Sequence, residues 1–239
     1  MRLLTKNDLV EVARKLAEKN LVAGFDGNLS CRTRKGMLIT ASGVYKGTLT
    51  RKDIVEIDFK GRLLRGHKRA SSEFLLHAAV YEERPDVRAV IHAHPPLVTA
   101  LSLMGFPLVP CLTAEAFLLL GLVPQVPYAP PGDKALSEGA RPFLKETNQL
   151  VLSQHGALAY DADLWASLDK LEKMEMLALK IFHLLESGFP VEKAVFTESQ
   201  RNVLTSRKAQ LGFRSITCSC KSDICVLVQN WRRQHGAEK

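Results

Sequence analysis

The sequence predicts a single α/β domain over residues 1–208, followed by a basic, Cys-containing C-terminal tail over 209–239. Three observations carry this reading. Helix-type and strand-type hydrophobic patterns alternate along the chain, as they do in sheets covered by helices. No shift in composition separates one half from the other before about residue 208. The 239 residues, 46% hydrophobic and 24% charged, suffice for one full-sized core and are too apolar for a disordered chain.

Thr5, with Asp8 three residues on, reads as a capping box, and Leu9, Val12, Ala13, Leu16 and Ala17 recur behind it at helical spacing. Past Gly24 the pattern turns to short runs at Asn28–Arg32, Met37–Thr40 and Ile54–Asp58, divided by turns such as Arg34-Lys35-Gly36 and expected as strands. SSEFLLHAAVYEERPD, from Ser71, reads as a helix with hydroxyl caps in front and Pro85 beyond its end. Ala89–Ala93 is a buried-type strand, and Pro95-Pro96 suits the first turn of a short helix to Met104. Short elements fill Phe106 to Val126, and a helix is expected around Leu136–Lys145.

QLVLSQHGALAY is two apolar runs broken at Gln154-His155-Gly156. The plainest helix is Asp163–Ser187, where Leu164, Leu168, Leu171, Leu177, Ile181 and Leu184 form one stripe that Gly188 ends. A last helix is expected over Thr197–Lys208.

The net charge is +8, but seven Lys/Arg against two acids from Arg207 onward leave only +3 for the rest. A nucleic-acid partner therefore cannot rest on the overall basicity, and Arg232 and Arg233 beside one aromatic, Trp231, add little. The near-continuous apolar run Ala116–Val123 is well short of the roughly 20 residues that cross a bilayer. The N-terminus, MRLLTKNDLVEV, has no signal-peptide core, and the five cysteines form no spaced framework. The expectation is a cytoplasmic protein with no membrane partner. Cys218, Cys220 and Cys225, with His235 downstream, match no standard zinc knuckle and are expected as free thiols.

Chemistry concentrates elsewhere. On a strand, residues two apart share a face, so His92 and His94 of VIHAHPP can offer two imidazoles to one ion. His155 sits where a strand meets Gly156, which frees the backbone to aim the ring across the sheet. Three neutral imidazoles and an open position form a catalytic rather than a structural zinc site. Taken singly, each histidine has the blander reading of a hydrogen-bonded or surface residue, and that reading is kept for His67, His183 and His235. His77, four residues after Glu73, shares its helical face and is assigned to packing or to support of the site. Glu73 follows Ser71 and Ser72 at a helix start, where free amides attract anions; simple capping is the competing account. Gly27-Asn28 and Ser42-Gly43 are, alone, ordinary turn formers.

In order, GNLS, TASG, SSE, HAH and QHG resemble the class II aldolase and adducin-head family, with the L-fuculose-phosphate aldolases as the nearest branch, from the first helix to about residue 208. The resemblance implies a predominantly antiparallel central sheet flanked by helices. It implies one Zn²⁺ per subunit held by His92, His94 and His155, with Glu73 completing the resting metal shell and serving as the catalytic base when substrate displaces it. It places the substrate phosphate at Gly27, Asn28, Ser42, Gly43, Ser71 and Ser72, and implies a homotetramer with sites between subunits. The reaction implied is cleavage of a ketose phosphate to dihydroxyacetone phosphate and an aldehyde through a zinc-stabilised enediolate.

Two family features are missing. The aldolases carry a tyrosine acid shortly after the segment matching Pro107-Leu108-Val109, where this chain reads Pro110-Cys111-Leu112-Thr113, and no tyrosine follows Tyr160. The proton donor is therefore unassigned, with Tyr128 and Thr113 as candidates. Decarboxylation of a 3-oxo sugar-acid phosphate is the rival reaction; 4-epimerisation ranks lower because the family's epimerases carry aspartate where Glu73 stands. A non-catalytic interaction module of the adducin kind is the remaining alternative.

Overall fold

The computed structural model describes residues 3–212 and, beyond them, Val228, Asn230, Trp231 and Arg233 in a helical conformation. Helix α1 (Lys6–Glu18) opens on the expected capping box, Thr5 accepting from the Asp8 amide while the Asp8 carboxylate accepts from Thr5. Strands β1 (Asn28–Arg32), β2 (Met37–Thr40) and β3 (Ile54–Ile57) follow, then a short edge strand β4 (Leu63–Arg65), whose half-exposed residues carry no alternation that would announce it. Helix α2 (Phe74–Glu83) starts three residues later than Ser71. Glu73 takes the cap position, but its side chain makes no cap bond.

Strand β5 (Ala89–Ala93) is buried on both faces, and α3 (Pro96–Leu103) begins on the two prolines. A five-residue π-helical turn, Ala116–Leu120, a two-residue strand β6 (Gln125–Val126) and α4 (Lys134–Leu144) come next. The broken apolar segment forms β7 (Gln149–Leu152) and β8 (Gly156–Asp161). The long stripe forms α5 (Leu164–Glu186), and α6 (Glu198–Gln210) closes the described domain.

The sheet has the order β4-β3-β2-β1-β5-β8-β7-β6, antiparallel at every pairing except β6 with β7. Helices α1, α3 and α5 cover one face, against Leu29, Cys31, Ile91, Ala157 and Ala159; α2 and α4 cover the other, against Ile39, Val90, Leu158 and Tyr160. Alternation along β1 therefore sends Asn28 and Ser30 to the α2 side, where both are buried. Buried polar groups must find partners, and theirs lead into the site.

Two connections were not legible locally. A proline at the α3 cap position cannot supply a side-chain acceptor, and Glu175 of α5 does so instead, accepting from the Leu97 and Val98 amides at 3.0–3.1 Å. Of the described residues beyond 212, Val228 is buried in the core, and Trp231 lies tilted against Phe106 and donates its indole N–H to the Met104 carbonyl. Arg232, His235 and the three tail cysteines lie outside the described residues.

Candidate metal centre

The site forms in the middle of the sheet, at one end of β5. His92 is the fourth residue of that strand and His94 lies one past its end, where its amide is tied to the Leu21 carbonyl. Neighbouring β8 brings His155, carried on the turn from β7. The left-handed residue of that turn is Gln154, at φ 55°, and not Gly156 as expected; the Gln154 amide is held by the Ser102 hydroxyl of α3. The bareness of Gly156 serves a different purpose. A Cβ there would stand 2.4 Å from the Ala93 carbonyl and 2.8 Å from the His94 ring, so only glycine lets β8 pass the ligand strand at this point.

The three rings converge. His92 Nε2 lies 2.9 Å from His94 Nε2 and 3.2 Å from His155 Nε2. Nitrogens bound to one tetrahedral zinc at about 2.0–2.1 Å would stand about 3.3 Å apart. The Nδ1 of His92 faces the Ala157 carbonyl at 3.0 Å and must donate to it, which leaves the Nε2 lone pair directed at the other rings. Burial holds His92 well below the usual histidine pKa, with His94 and His155 adding to the effect. Burial likewise lowers His94, opposed by the Asp26 carboxylate, 3.6 Å from its Nδ1. His92 thus turns a lone pair toward the other two Nε2 atoms, an arrangement that suits a cation held among the three rings.

Glu73 completes the set. Its Oε2 lies 3.4 Å from His92 Nε2 and its Oε1 3.5 Å from His155 Nε2, and Oε1 is buried with no hydrogen-bond partner. A carboxylate oxygen left orphaned beside three converging imidazoles is what a bound divalent ion would satisfy. Glu73 itself makes no cap bond; the capping hydroxyl is that of Ser71, which accepts from the Glu73 amide at 3.3 Å.

The other oxygen of Glu73 is held by Asn28, whose Nδ2 donates to Oε2 at 2.8 Å. The Oδ1 of Asn28 accepts from His77 Nε2 at 2.6 Å, and His77 Nδ1 meets the Ser30 hydroxyl at 2.7 Å. Ser30 also contacts the Tyr81 hydroxyl at 2.8 Å. The Asn28 carboxamide is thus engaged inward, on Glu73 and His77, where sequence reasoning expected it on a phosphate. Burial, then His92, depress His77 to a pKa of about 3, so its ring is neutral.

The remaining expected residues are brought into adjacent loops. Ala41 bridges Ala70, the Ser42 amide donates to the Arg69 carbonyl and the Ser71 amide to Thr40, so Ser42-Gly43 and Ser71-Ser72 lie side by side. Gly43 adopts φ 66° with open space where a Cβ would be. Gly27, at φ 73°, lies against the His92 carbonyl, 2.8 Å from where its Cβ would stand. Lys46 was missed by sequence reasoning. Its buried ammonium donates to the Phe25 and Val44 carbonyls, tying the loop that precedes Gly27-Asn28 to the loop that follows Ser42-Gly43. Burial lowers its pKa to about 8, with Asp26 opposing. No local signal separates such a lysine from a surface one.

Comparison with known proteins identifies the family. Residues 7–180 match the family model described as Class II Aldolase and Adducin N-terminal domain. An L-fuculose phosphate aldolase of Escherichia coli is 35% identical over 206 residues, 86% of this chain and 94% of that protein. A 5-methylthioribulose-1-phosphate/5-deoxyribulose-1-phosphate aldolase of Rhodospirillum rubrum is 33% identical over 190 residues, 79% of this chain and 85% of its own length. A solved L-fuculose 1-phosphate aldolase superposes with a TM-score of 0.75 at 31% identity, over 84% of this chain and 94% of that one. Over a fold, a histidine cluster and a sequence that all agree, the chain belongs to the class II aldolase and adducin N-terminal domain family.

Proposed function

We propose that this protein is a metal-dependent aldolase that cleaves a ketose 1-phosphate between C3 and C4 into dihydroxyacetone phosphate and an aldehyde. The observation that carries the reading is the convergence of three imidazoles with an orphaned carboxylate oxygen. A non-catalytic module has no use for that arrangement. His92, His94 and His155 would hold the ion, with Glu73 as a fourth ligand in the resting state, and the nitrogen-rich donor set suits Zn²⁺. When bound, the ion supplies Lewis-acid polarisation of the substrate oxygens.

The chain's own residues do the rest. Glu73, beside the three histidines, would carry the proton at the carbon next to the carbonyl. The loops at Ser42-Gly43 and Ser71-Ser72 offer their serine hydroxyls and the amides of Gly43 and Ser72 to the phosphate, those of Ser42 and Ser71 being engaged between the loops, and Gly27 lets the backbone come close. The second hydrogen of Asn28 Nδ2 is left for a substrate oxygen. Fixing the phosphate at one end orients the reacting bond at the other. The family resemblance adds a homotetrameric assembly to the proposal.

The relatives suggest two aldehyde classes. Cleavage of a 6-deoxyketohexose phosphate releases lactaldehyde; cleavage of a 5-deoxy- or 5-methylthio-ketopentose phosphate releases acetaldehyde or its methylthio derivative. The test is to incubate zinc-loaded protein with dihydroxyacetone phosphate and each aldehyde and to look for the ketose phosphate. A product with one of them is expected, and none with any would overturn the aldolase reading. The segment Pro110-Cys111-Leu112-Thr113, without a tyrosine, keeps decarboxylation of a 3-oxo sugar-acid phosphate as the second reading. Carbon dioxide release from such a substrate would favour it.

A further inference from the structure

Behind Glu73, on the α2 side of the sheet, lies a row of buried polar groups that begins at Asn28 and continues through three that the proposed reaction does not use: His77, Ser30 and Tyr81. Each touches the next at 2.6–2.8 Å, and the row ends on Glu73. None has solvent to fall back on, so each proton has to be accounted for within the row.

The inventory of donors and acceptors gives the row one direction. A carboxylate only accepts, so Asn28 presents Nδ2 to Glu73 and Oδ1 to His77. His77 Nε2 must then donate. Since the ring is neutral, its Nδ1 carries a lone pair and accepts from the Ser30 hydroxyl. With its hydrogen given to His77, Ser30 can only accept from Tyr81. Tyr81 suits the far end: burial keeps its hydroxyl protonated, and the Arg32 guanidinium lies over its ring, 4.7 Å from the centroid. In the opposite direction the Tyr81 hydroxyl would have Ser30 as its donor, and its own hydrogen would be left without an acceptor in this row.

We infer that Tyr81, Ser30 and His77 are positioning residues for Glu73: a one-way chain of hydrogen bonds that locks the Asn28 carboxamide and so holds the carboxylate against the three histidines. The inference deepens the metal-site reading above and rests on Glu73 acting there. His77 is the pivotal member, because it alone converts a hydroxyl donor on one side into an N–H donor on the other. Its neutral Nε2–H tautomer is a requirement of the chain and not of helix packing.

The test uses the full-length protein with uniformly ¹⁵N-labelled histidine. Long-range ¹H–¹⁵N correlation spectra at pH 7 should report His77 as the neutral tautomer with its proton on Nε2. The Nδ1–H tautomer or a doubly protonated ring would overturn the direction of the chain. Zinc affinity, measured by competition with a chromophoric chelator, supplies a second readout independent of any substrate. His77→Leu should weaken it by roughly 10–100-fold, as loss of a group supporting a ligand does. His77→Gln, whose amide can donate to Asn28 and accept from Ser30, should stay within about 3-fold of the parent. Equal loss in both variants, or none in either, would overturn the positioning role. Should His77→Leu fail to fold, Tyr81→Phe, which removes only the terminal donor, replaces it and is expected to lower zinc affinity by about 3-fold or more. An unchanged affinity there counts against the chain. If no aldolase activity is found at all, these outcomes still stand or fall on their own.

Discussion

His92 Nε2 and His155 Nε2 lie 3.2 Å apart although 63 residues separate them in sequence, and His92 turns its other nitrogen to the Ala157 carbonyl. The pair therefore turns two ring nitrogens to one point. His92→Ala or His155→Ala should remove the tightly bound metal and the activity together, because two remaining imidazoles under-coordinate the ion. Metal analysis of the purified variants checks this; full metal content in either one contradicts the assignment.

Glu73→Gln keeps the shape of the side chain and the bond from Asn28 but cannot carry a proton. Folding should survive and the three histidines should still bind zinc, though more weakly, and with zinc in excess turnover should fall by roughly 10²–10⁴-fold. Steady-state rates on the substrate identified by the aldehyde panel decide the matter, and an unchanged rate removes Glu73 from the mechanism.

Stability should fall in acid for a reason visible at His77. Unfolded, this histidine binds a proton below about pH 6.5, whereas folded it stays neutral down to about pH 3. Between those values the unfolded chain holds the extra proton, so lowering the pH favours unfolding. His77 alone should cost the metal-free protein about 2 kcal/mol between pH 7 and pH 5, and His92, depressed in the same direction, adds to it. Urea denaturation at the two pH values measures the loss, and His77→Gln should flatten the dependence. Equal stability at both values would mean that these rings are not held neutral.

Gly156→Ala introduces a Cβ into the space of the Ala93 carbonyl and the His94 ring. The neighbouring strand cannot give way cheaply, and a cost of about 1–3 kcal/mol is expected, together with weaker zinc binding because His94 is displaced. Thermal unfolding and chelator competition should move together. A stability loss with unaltered zinc affinity would separate the glycine from the metal site.

Glu175 should matter for the same site at a distance. Removing its carboxylate in Glu175→Ala uncovers the Leu97 and Val98 amides that open α3, three and four residues after His94. The expected loss is about 0.5–2 kcal/mol, the range of a helix cap. A melting temperature equal to that of the parent would show that water replaces the cap.

Much of this molecule is written in local patterning. The capping box at Thr5, the stripe of α5 and the runs of β1, β2 and β5 depend on neighbours a few residues away, so period and punctuation suffice to place them. Strands β4 and β6 escaped because short strands with mixed exposure borrow their identity from the partner they pair with. The candidate ligands His92, His94 and His155 were legible as residue types at suggestive spacings, and the ordered motifs joined them to Glu73.

What only the tertiary structure decided is which atom of each residue faces which. The order β1-β5-β8 brings Asn28, His92 and Leu158 side by side, and that register, not any local signal, turns Asn28 toward Glu73. The tautomers of His92 and His77, the orphaned oxygen of Glu73, the cap lent by Glu175 and the inward docking of Trp231 all belong to this second class. Each is a contact between groups far apart along the chain, where proximity is set by the packing of the sheet and helices. Composition and spacing name the participants, and burial without water then dictates how they pair.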